Sequence, residues 1–239
     1  DHSTIRLPDQ STIVAMSFNV LWSNEDYAAI AESVRAASPD IVGFEELHAA
    51  NAEGINSILQ SEYPYNTFAP SDQIKSVGLL SRFPVESAEP FSLPPRDLAL
   101  HAIVNFNGAR VHVFVVHLSP NNFGLFPLDQ FVSLADERYA SRASEAARLE
   151  DIISPLAEPA IMLCDCNLTD TSQVYARLAT FLRDSFREAG WGFGHTLIHP
   201  PYHFRTQRLD YVWHNDKFVA AQAAVGREGS SDHLPITAR

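Results

Sequence analysis

Ala160-Ile161-Met162-Leu163-Cys164-Asp165-Cys166-Asn167 carries five apolar residues into a carboxylate and a carboxamide two positions apart. An apolar run without polar alternation, short and rich in large side chains, reads as a strand covered on both faces. At the end of such a strand residues i and i+2 point the same way, so Asp165 and Asn167 form a polar pair at a sheet edge. Near the end of the chain, Ser231-Asp232-His233 adds a second carboxylate and the side chain best suited to proton or phosphate work near neutral pH.

The same device, an apolar run ending in polar groups, recurs outward from this segment. Residues 12–19 are apolar on both alternating faces and end at Asn19. Residues 41–46 run into Glu45-Glu46, two neighbours that point to opposite faces of a strand and, taken alone, read as solvated. Residues 110–117 are rich in valine and end at His117, which taken alone reads as a hydrogen-bonded core histidine. Between them, Tyr27, Ile30, Ala31 and Val34 keep helical spacing, with Ser23 or Asn24 as cap and Ser38-Pro39 as stop. Ile55, Ile58 and Leu59 mark a second helix. Further strands are expected over 65–69, 77–81, 85–88 and 100–106, the last joined to 110–117 by an Asn107-Gly108 hairpin turn. Residues 119–131, with Asn121, read as a long loop placed for substrate contacts. Helices over 135–153 and 174–182 and strands over 160–166, 209–213, 220–225 and 234–238 complete the pattern. Two halves that each mix strands with outer helices fit a β-sandwich flanked by helices.

With 239 residues and motifs from end to end, the chain reads as one domain, 1–239, with 1–11 as an N-terminal tail. The formal net charge is -12, and only two of 17 basic residues are lysines, which weighs against a tight nonspecific grip on duplex nucleic acid. Cys164 and Cys166 are expected to be free thiols packed in the core, a spacing of two on a strand being poor for a disulfide. That leaves the redox compartment open. The chain starts at Asp1 without a leader, so a processed product is expected, with any targeting segment outside it.

Six motifs, in order, carry a family resemblance: Ser17-Phe18-Asn19-Val20, Phe44-Glu45-Glu46-Leu47, Val116-His117-Leu118, Cys164-Asp165-Cys166-Asn167, Arg208-Leu209-Asp210-Tyr211 and Ser231-Asp232-His233-Leu234-Pro235. In these the chain resembles the endonuclease/exonuclease/phosphatase superfamily, deoxyribonuclease-like enzymes that include sphingomyelinases and tyrosyl-DNA phosphodiesterases. The resemblance implies an α/β fold, a four-layer α-β-β-α sandwich of two mixed β-sheets packed face to face and flanked by helices. It also implies a divalent-metal-dependent phosphoester hydrolase, with Mg²⁺ or Mn²⁺ as cofactor and in-line attack of water. By it Glu46, Asp232 and Asn19 form or order the metal shell. Asp165 orients or deprotonates the attacking water, Asn167 bonds phosphate oxygens, and His117 contacts phosphate or donates a proton. Asp210 holds the ring of His233, and Asn121 and Arg208 are candidate substrate contacts.

The implied substrate is a phosphodiester in nucleic acid, phospholipid or a small molecule, handled by a monomer. Leu21 stands where apurinic endonucleases carry an aspartate, and Asn167-Leu168-Thr169-Asp170 faintly matches tyrosyl-DNA phosphodiesterases, so the subclass stays open. Arg187-Glu188-Ala189-Gly190-Trp191-Gly192-Phe193-Gly194 and Asp210-Tyr211-Val212-Trp213 are nearest to bacterial members often preceded by membrane-spanning helices. That implies a membrane-anchored or extracytoplasmic protein whose tether lies outside this chain. The competing reading is a catalytically silent relative that binds a phosphorylated or membrane ligand; silent relatives lose a metal ligand or the last histidine, and here each expected group is present.

Overall fold

The computed structural model describes residues 12–69, 76–94, 97–120, 128–199 and 204–239. Its first elements are β1 (Ala15–Asn19), α1 (Tyr27–Ala37), β2 (Ile41–Leu47), α2 (Ala49–Leu59), β3 (Tyr65–Phe68) and β4 (Ser76–Ser81). Next come β5 (Val85–Leu93), β6 (Asp97–Phe106), β7 (Ala109–His117), α3 (Leu128–Ile153), β8 (Ala160–Asp165), α4 (Gln173–Leu178), β9 (Arg183–Asp184) and α5 (Ser185–Ala189). The chain closes with β10 (Leu197–His199), β11 (Phe204–Gln207), β12 (Asp210–His214), β13 (Ala223–Val225) and β14 (Ile236–Ala238). One sheet has the order β13-β14-β1-β2-β4-β3 and the other β5-β6-β7-β8-β12-β9, with β10-β11 as a separate pair.

Three apolar clusters give four layers. Leu79, Val113, Val115, Leu163 and Ile236 belong to the core between the sheets. Ile30, Val34, Ile55 and Leu59 of α1 and α2 pack on Met16, Phe18, Val42 and Phe44 of the first sheet's outer face. Leu149 and Ile153 of α3, with Val174 and Leu178 of α4, cover Phe114, Val116, Met162 and Trp213 on the other sheet. At Gly43 the sheets approach so closely that a Cβ would sit 2.8 Å from the Leu163 side chain. Each sheet has one parallel pair, β1 with β2 and β7 with β8, and Asn19, Glu46, His117 and Asp165 lie at the ends of those four strands. The expected four-layer sandwich is the fold observed.

Local chemistry explains the departures. Asp26 caps α1, accepting from Ala29 N at 3.0 Å, while Asn24 spends its side-chain oxygen on Asp26 N at 3.0 Å. The Asn107-Gly108 turn forms as expected, with φ of 52° and 91° at its two residues. Helix α3 begins at Leu128, inside the stretch expected to be loop, whereas Asn121 lies outside the described residues. The β10–β11 pair and α5 are too short, and too mixed in polarity, to announce themselves in the sequence. Among the described residues, no helix is long and apolar enough to cross a membrane.

The expectation of free thiols is corrected. Cys164 and Cys166 are joined, with their Sγ atoms 2.15 Å apart, and both are fully buried. A regular strand step of two residues spans roughly 6.6 Å or more. Here β8 ends at Asp165, the chain contracts, and the Cα atoms come within 5.2 Å, inside the range a disulfide needs.

A second histidine group lies away from these strand ends. His101 Nε2 meets His112 Nδ1 at 2.9 Å, and His112 Nε2 meets Glu158 Oε2 at 3.1 Å. The His101 ring stacks on Phe114, centroids 4.3 Å apart. Burial, then the neighbouring His112, push His101 down from its ordinary 6.5 to about 4. An imidazole with a depressed pKa binds fewer protons folded than unfolded, so stability rises with pH across that gap. We expect the urea midpoint to fall as the pH is lowered from 6.5 to about 4, and His101→Phe to flatten that slope. Parallel pH profiles for the two proteins would contradict the assignment.

Candidate active site

Register alone brings most of the site together. Asn19 pairs with Glu45 across β1 and β2, His117 with Asp165 across β7 and β8, and Asp165 with Asp210 across β8 and β12. Asn19 Nδ2 then crosses from one sheet to the other and donates to Asp165 Oδ2 at 2.8 Å. The Asn19 Oδ1 accepts from Leu21 N at 2.9 Å, which fixes which end of the amide faces the carboxylate. His117 Nε2 sits 3.5 Å from Asp165 Oδ2 and 3.8 Å from Glu46 Oε1. Asp210 Oδ2 holds His233 Nδ1 at 2.8 Å.

Several residues of this end carry left-handed backbone, among them Leu21 at φ 60°, Glu46 at 54° and Asn167 at 50°. Such conformations cost free energy at non-glycine residues and persist where the surroundings over-determine them. At Glu46 the cause is visible. Between Phe44 and Leu47 the β2–β4 register slips by one residue, a bulge that turns Glu46 out of the pleat toward the rim. At Asn167 the backbone N–H bonds Asp165 Oδ1 at 3.1 Å and the side chain donates to Leu118 O at 3.0 Å.

Outer groups anchor the strand ends. Ser119 follows the His117 strand, and Glu145 of α3 accepts from its N–H at 3.0 Å and its hydroxyl at 2.6 Å. Arg142 donates to Ser119 O at 3.0 Å. Ser231 Oγ donates to Asn19 O at 2.7 Å and accepts from His233 N at 3.1 Å, locking the last motif onto β1. Thr196 Oγ1 accepts from the backbone N–H groups of Leu209 and Asp210 at 3.1 and 3.3 Å. Arg142, Glu145 and Thr196 carried no motif in the sequence; only their contacts reveal them.

Glu45 was also missed, although period two could have found it. Ile41 faces the core between the sheets and so does Gly43, which abuts Leu163. Glu45 therefore points inward as well and is fully buried, with Ser17 Oγ donating to its Oε1 at 2.8 Å. Burial, and then Asp210, hold its carboxyl well above the ordinary range.

The electrostatics follow from this crowding. Burial and then Asp210 raise Asp165, while His233, His117 and Asn19 pull the other way. Burial opposes a charge on His233, yet Asp210 and Asp165 outweigh it, so its ring keeps a proton well above the ordinary imidazole range. Among the described residues Asp210 Oδ1 is buried without a hydrogen-bond partner, an acceptor left open to positive charge. The ligand atoms of Asp165, Asp210 and His233 lie within 4.8 Å of one another. That trio shares no member with the expected ligand set of Glu46, Asp232 and Asn19, and two of its three members already pair with each other. Asp232 itself is half-buried beside His233.

Arg208 is not brought here. Its guanidinium pairs with Asp184 at 2.8 Å and Asp170 at 3.4 Å and lies over the rings of Tyr211 and Phe186. Tyr211 packs against the outer helices, on the face of β12 opposite Asp210, so Arg208 braces the fold from behind.

The profile of the Endonuclease/Exonuclease/phosphatase family matches residues 16–233. The chain belongs to that family. Its members are phosphoester hydrolases that generally depend on a divalent metal. Three solved structures illustrate the shared fold. A family protein from Bacteroides thetaiotaomicron is 18% identical, with 95% of this chain and 97% of that one covered and a TM-score of 0.75. A mannosyl-6-phosphatase from the same organism is 17% identical over 95% and 99% of the two chains, at a TM-score of 0.73. TDP2 from C. elegans is 18% identical over 95% and 74%, also at 0.73. No curated protein matches the sequence.

Since Asp210 outranks the other charges that favour a proton on His233, Asp210→Asn should lower the pKa of that ring. Histidine ring titration by NMR on the metal-free protein reads this directly. An unchanged His233 pKa in the variant would show that the pair does not set the ring's charge.

Proposed function

We propose that this protein is a divalent-metal-dependent phosphodiesterase that hydrolyses its ester by in-line attack of water. One observation carries the reading: Asn19 and Glu46 from one sheet meet His117, Asp165, Asp210 and His233 at the same end of the sandwich. The donors suit a hard cation. Carboxylate oxygens predominate, and His233 is committed to Asp210, so Mg²⁺ or Mn²⁺ fits better than a closed zinc site. Glu46 and Asp232 would hold the ion, with Asn19 ordering Asp165 beside it. When bound, the ion offsets negative charge on phosphoryl oxygens.

The chain's own groups do the rest. Asp165, aimed by Asn19 and Asn167 N–H, orients water and takes its proton, a role helped by a raised pKa. Asn167, whose side chain is steered by Leu118 O, bonds a phosphoryl oxygen. His117 is placed to contact phosphate between Glu46 and Asp165. The His233 imidazolium, oriented by Asp210, stabilises charge as the leaving oxygen departs. No side chain needs to form a covalent intermediate. The net charge of -12 favours a lipid or small-molecule diester over a nucleic-acid polymer.

Bis-p-nitrophenyl phosphate tests the reading. EDTA should abolish hydrolysis and Mg²⁺ or Mn²⁺ should restore it; full activity after exhaustive chelation would refute the mechanism. His233→Ala should lose about 10²–10⁴-fold in kcat, the usual worth of an acid–base group. Asp210→Asn should lose steeply too, and the double variant no more than the worse single, since groups acting as one unit cannot be removed twice. A loss equal to the product of the singles would show that the two residues act independently.

A further inference from the structure

Trp191 is 95% exposed and Phe193 86% exposed, the two most exposed large apolar side chains among the described residues. They alternate with glycine in Gly190-Trp191-Gly192-Phe193-Gly194, a stretch with no charge. Gly192 and Gly194 have φ of 88° and 67°, so the backbone turns in ways that favour glycine and throws both rings outward. Neither ring contributes to any core cluster. Water-exposed aromatics of this size carry a free-energy penalty that folding does not explain.

The loop leads into the site. Its start is bridged to the sheet, Gly190 to Ala223, level with the first residue of β1 and so at the end away from Asn19, and from there it runs to Leu197, which is bridged to His233. Ile198 N donates to Asp232 O at 2.8 Å and Leu234 N to Thr196 O at 2.8 Å. Leu197 is four steps along the chain from Phe193, a reach of at most roughly 14 Å. Trp191, Phe193, His195 and Arg205 border one groove, with the His195 ring stacked on Phe193 at 5.3 Å between centroids.

We propose that this loop is a membrane-docking wedge, with Trp191 and Phe193 entering the interface of a zwitterionic phospholipid surface while His195 and Arg205 face headgroup phosphates. The proposal deepens, and its substrate side rests on, the phosphodiesterase reading: the docked loop is bonded at its far end to the Asp232–His233 segment and so tethers the site to the surface that carries its substrate. Aromatic side chains have their preferred place at that boundary. Two alternatives fit less well. A single-stranded nucleic acid stacks on aromatics, but it also needs a basic groove to track its phosphates, and this chain carries a net charge of -12. A protein partner needs a broad complementary patch of about 1,000 Å² or more, whereas two exposed rings beside a single groove offer much less. A zwitterionic bilayer neither repels the acidic body nor demands a preformed pocket.

Sedimentation with phosphatidylcholine vesicles, carried out in EDTA so that nothing is hydrolysed, tests the wedge apart from the chemistry. The full chain should partition onto the vesicles. Burying one large apolar side chain is worth roughly ten- to a hundred-fold in a partition coefficient, so Trp191→Ala/Phe193→Ala should weaken binding at least about ten-fold. Hydrolysis of soluble bis-p-nitrophenyl phosphate by that variant should stay unchanged. Failure of the wild type to sediment, equal sedimentation of the variant, or capture of a single-stranded oligonucleotide through Trp191 and Phe193 in place of vesicles would each overturn the proposal. Vesicle binding that needs the loop, in a protein inert toward every phosphodiester, would instead refute the hydrolase reading and leave the wedge standing.

Discussion

The hydrogen bond from Asn19 Nδ2 to Asp165 Oδ2 joins the two sheets at the end where every expected catalytic strand stops. Its partners are 146 residues apart in the chain and both buried. A carboxylate taken so far from water costs several kcal/mol unless donors replace the lost solvent. Here the replacements are the Asn19 amide and the Asn167 N–H, with the two imidazoles nearby. Setting β1 against β8 is therefore the favoured closure of the sandwich, since another alignment would take the Asn19 amide away from the buried Asp165. Ser231 fastens the His233 loop to the backbone oxygen of the same Asn19. The residue that joins the sheets thus also places the final motif.

Much of this was legible in the chain because strand chemistry is local. Apolar runs ending in polar groups marked β1, β2, β7 and β8, and period two gave the direction of each terminal side chain. The Asn107-Gly108 turn wrote its own conformation. What stayed hidden depends on contacts between distant segments. The Glu46 bulge arises from β2 pairing with β4, and its consequence, a Glu46 turned toward the rim, needs the sheet to be visible. Arg208 resembled a phosphate-facing cation until Asp184 and the rings of Phe186 and Tyr211 accounted for it. Cys164 and Cys166 were read as if β8 ran straight through them, whereas it stops between them. Glu145 and Arg142 hold Ser119 from a helix whose sequence shows only amphipathic spacing.

Buried charge at this end is tolerated because each charged group supports another. Asp210 orients His233, the imidazolium helps to keep Asp165 from rising further, and the Asp210 oxygen without a partner offers a place for positive charge. Removing one member strands the rest, which is why such a cluster behaves as one unit. The acidic balance elsewhere then sets what can approach. It discourages a polyanion and permits a neutral or zwitterionic surface, the kind on which the Trp191–Phe193 loop is proposed to dock.

The central claim is that the ends of both sheets form one cation and phosphoester centre. Anomalous diffraction from crystals soaked in Mn²⁺ tests it most directly. The account predicts that the strongest peak lies within coordination distance of the Glu46 carboxylate, at the end of the sandwich where Asp165 and Asp232 also stand. A strongest peak on acidic side chains elsewhere, with none at Glu46, would contradict it.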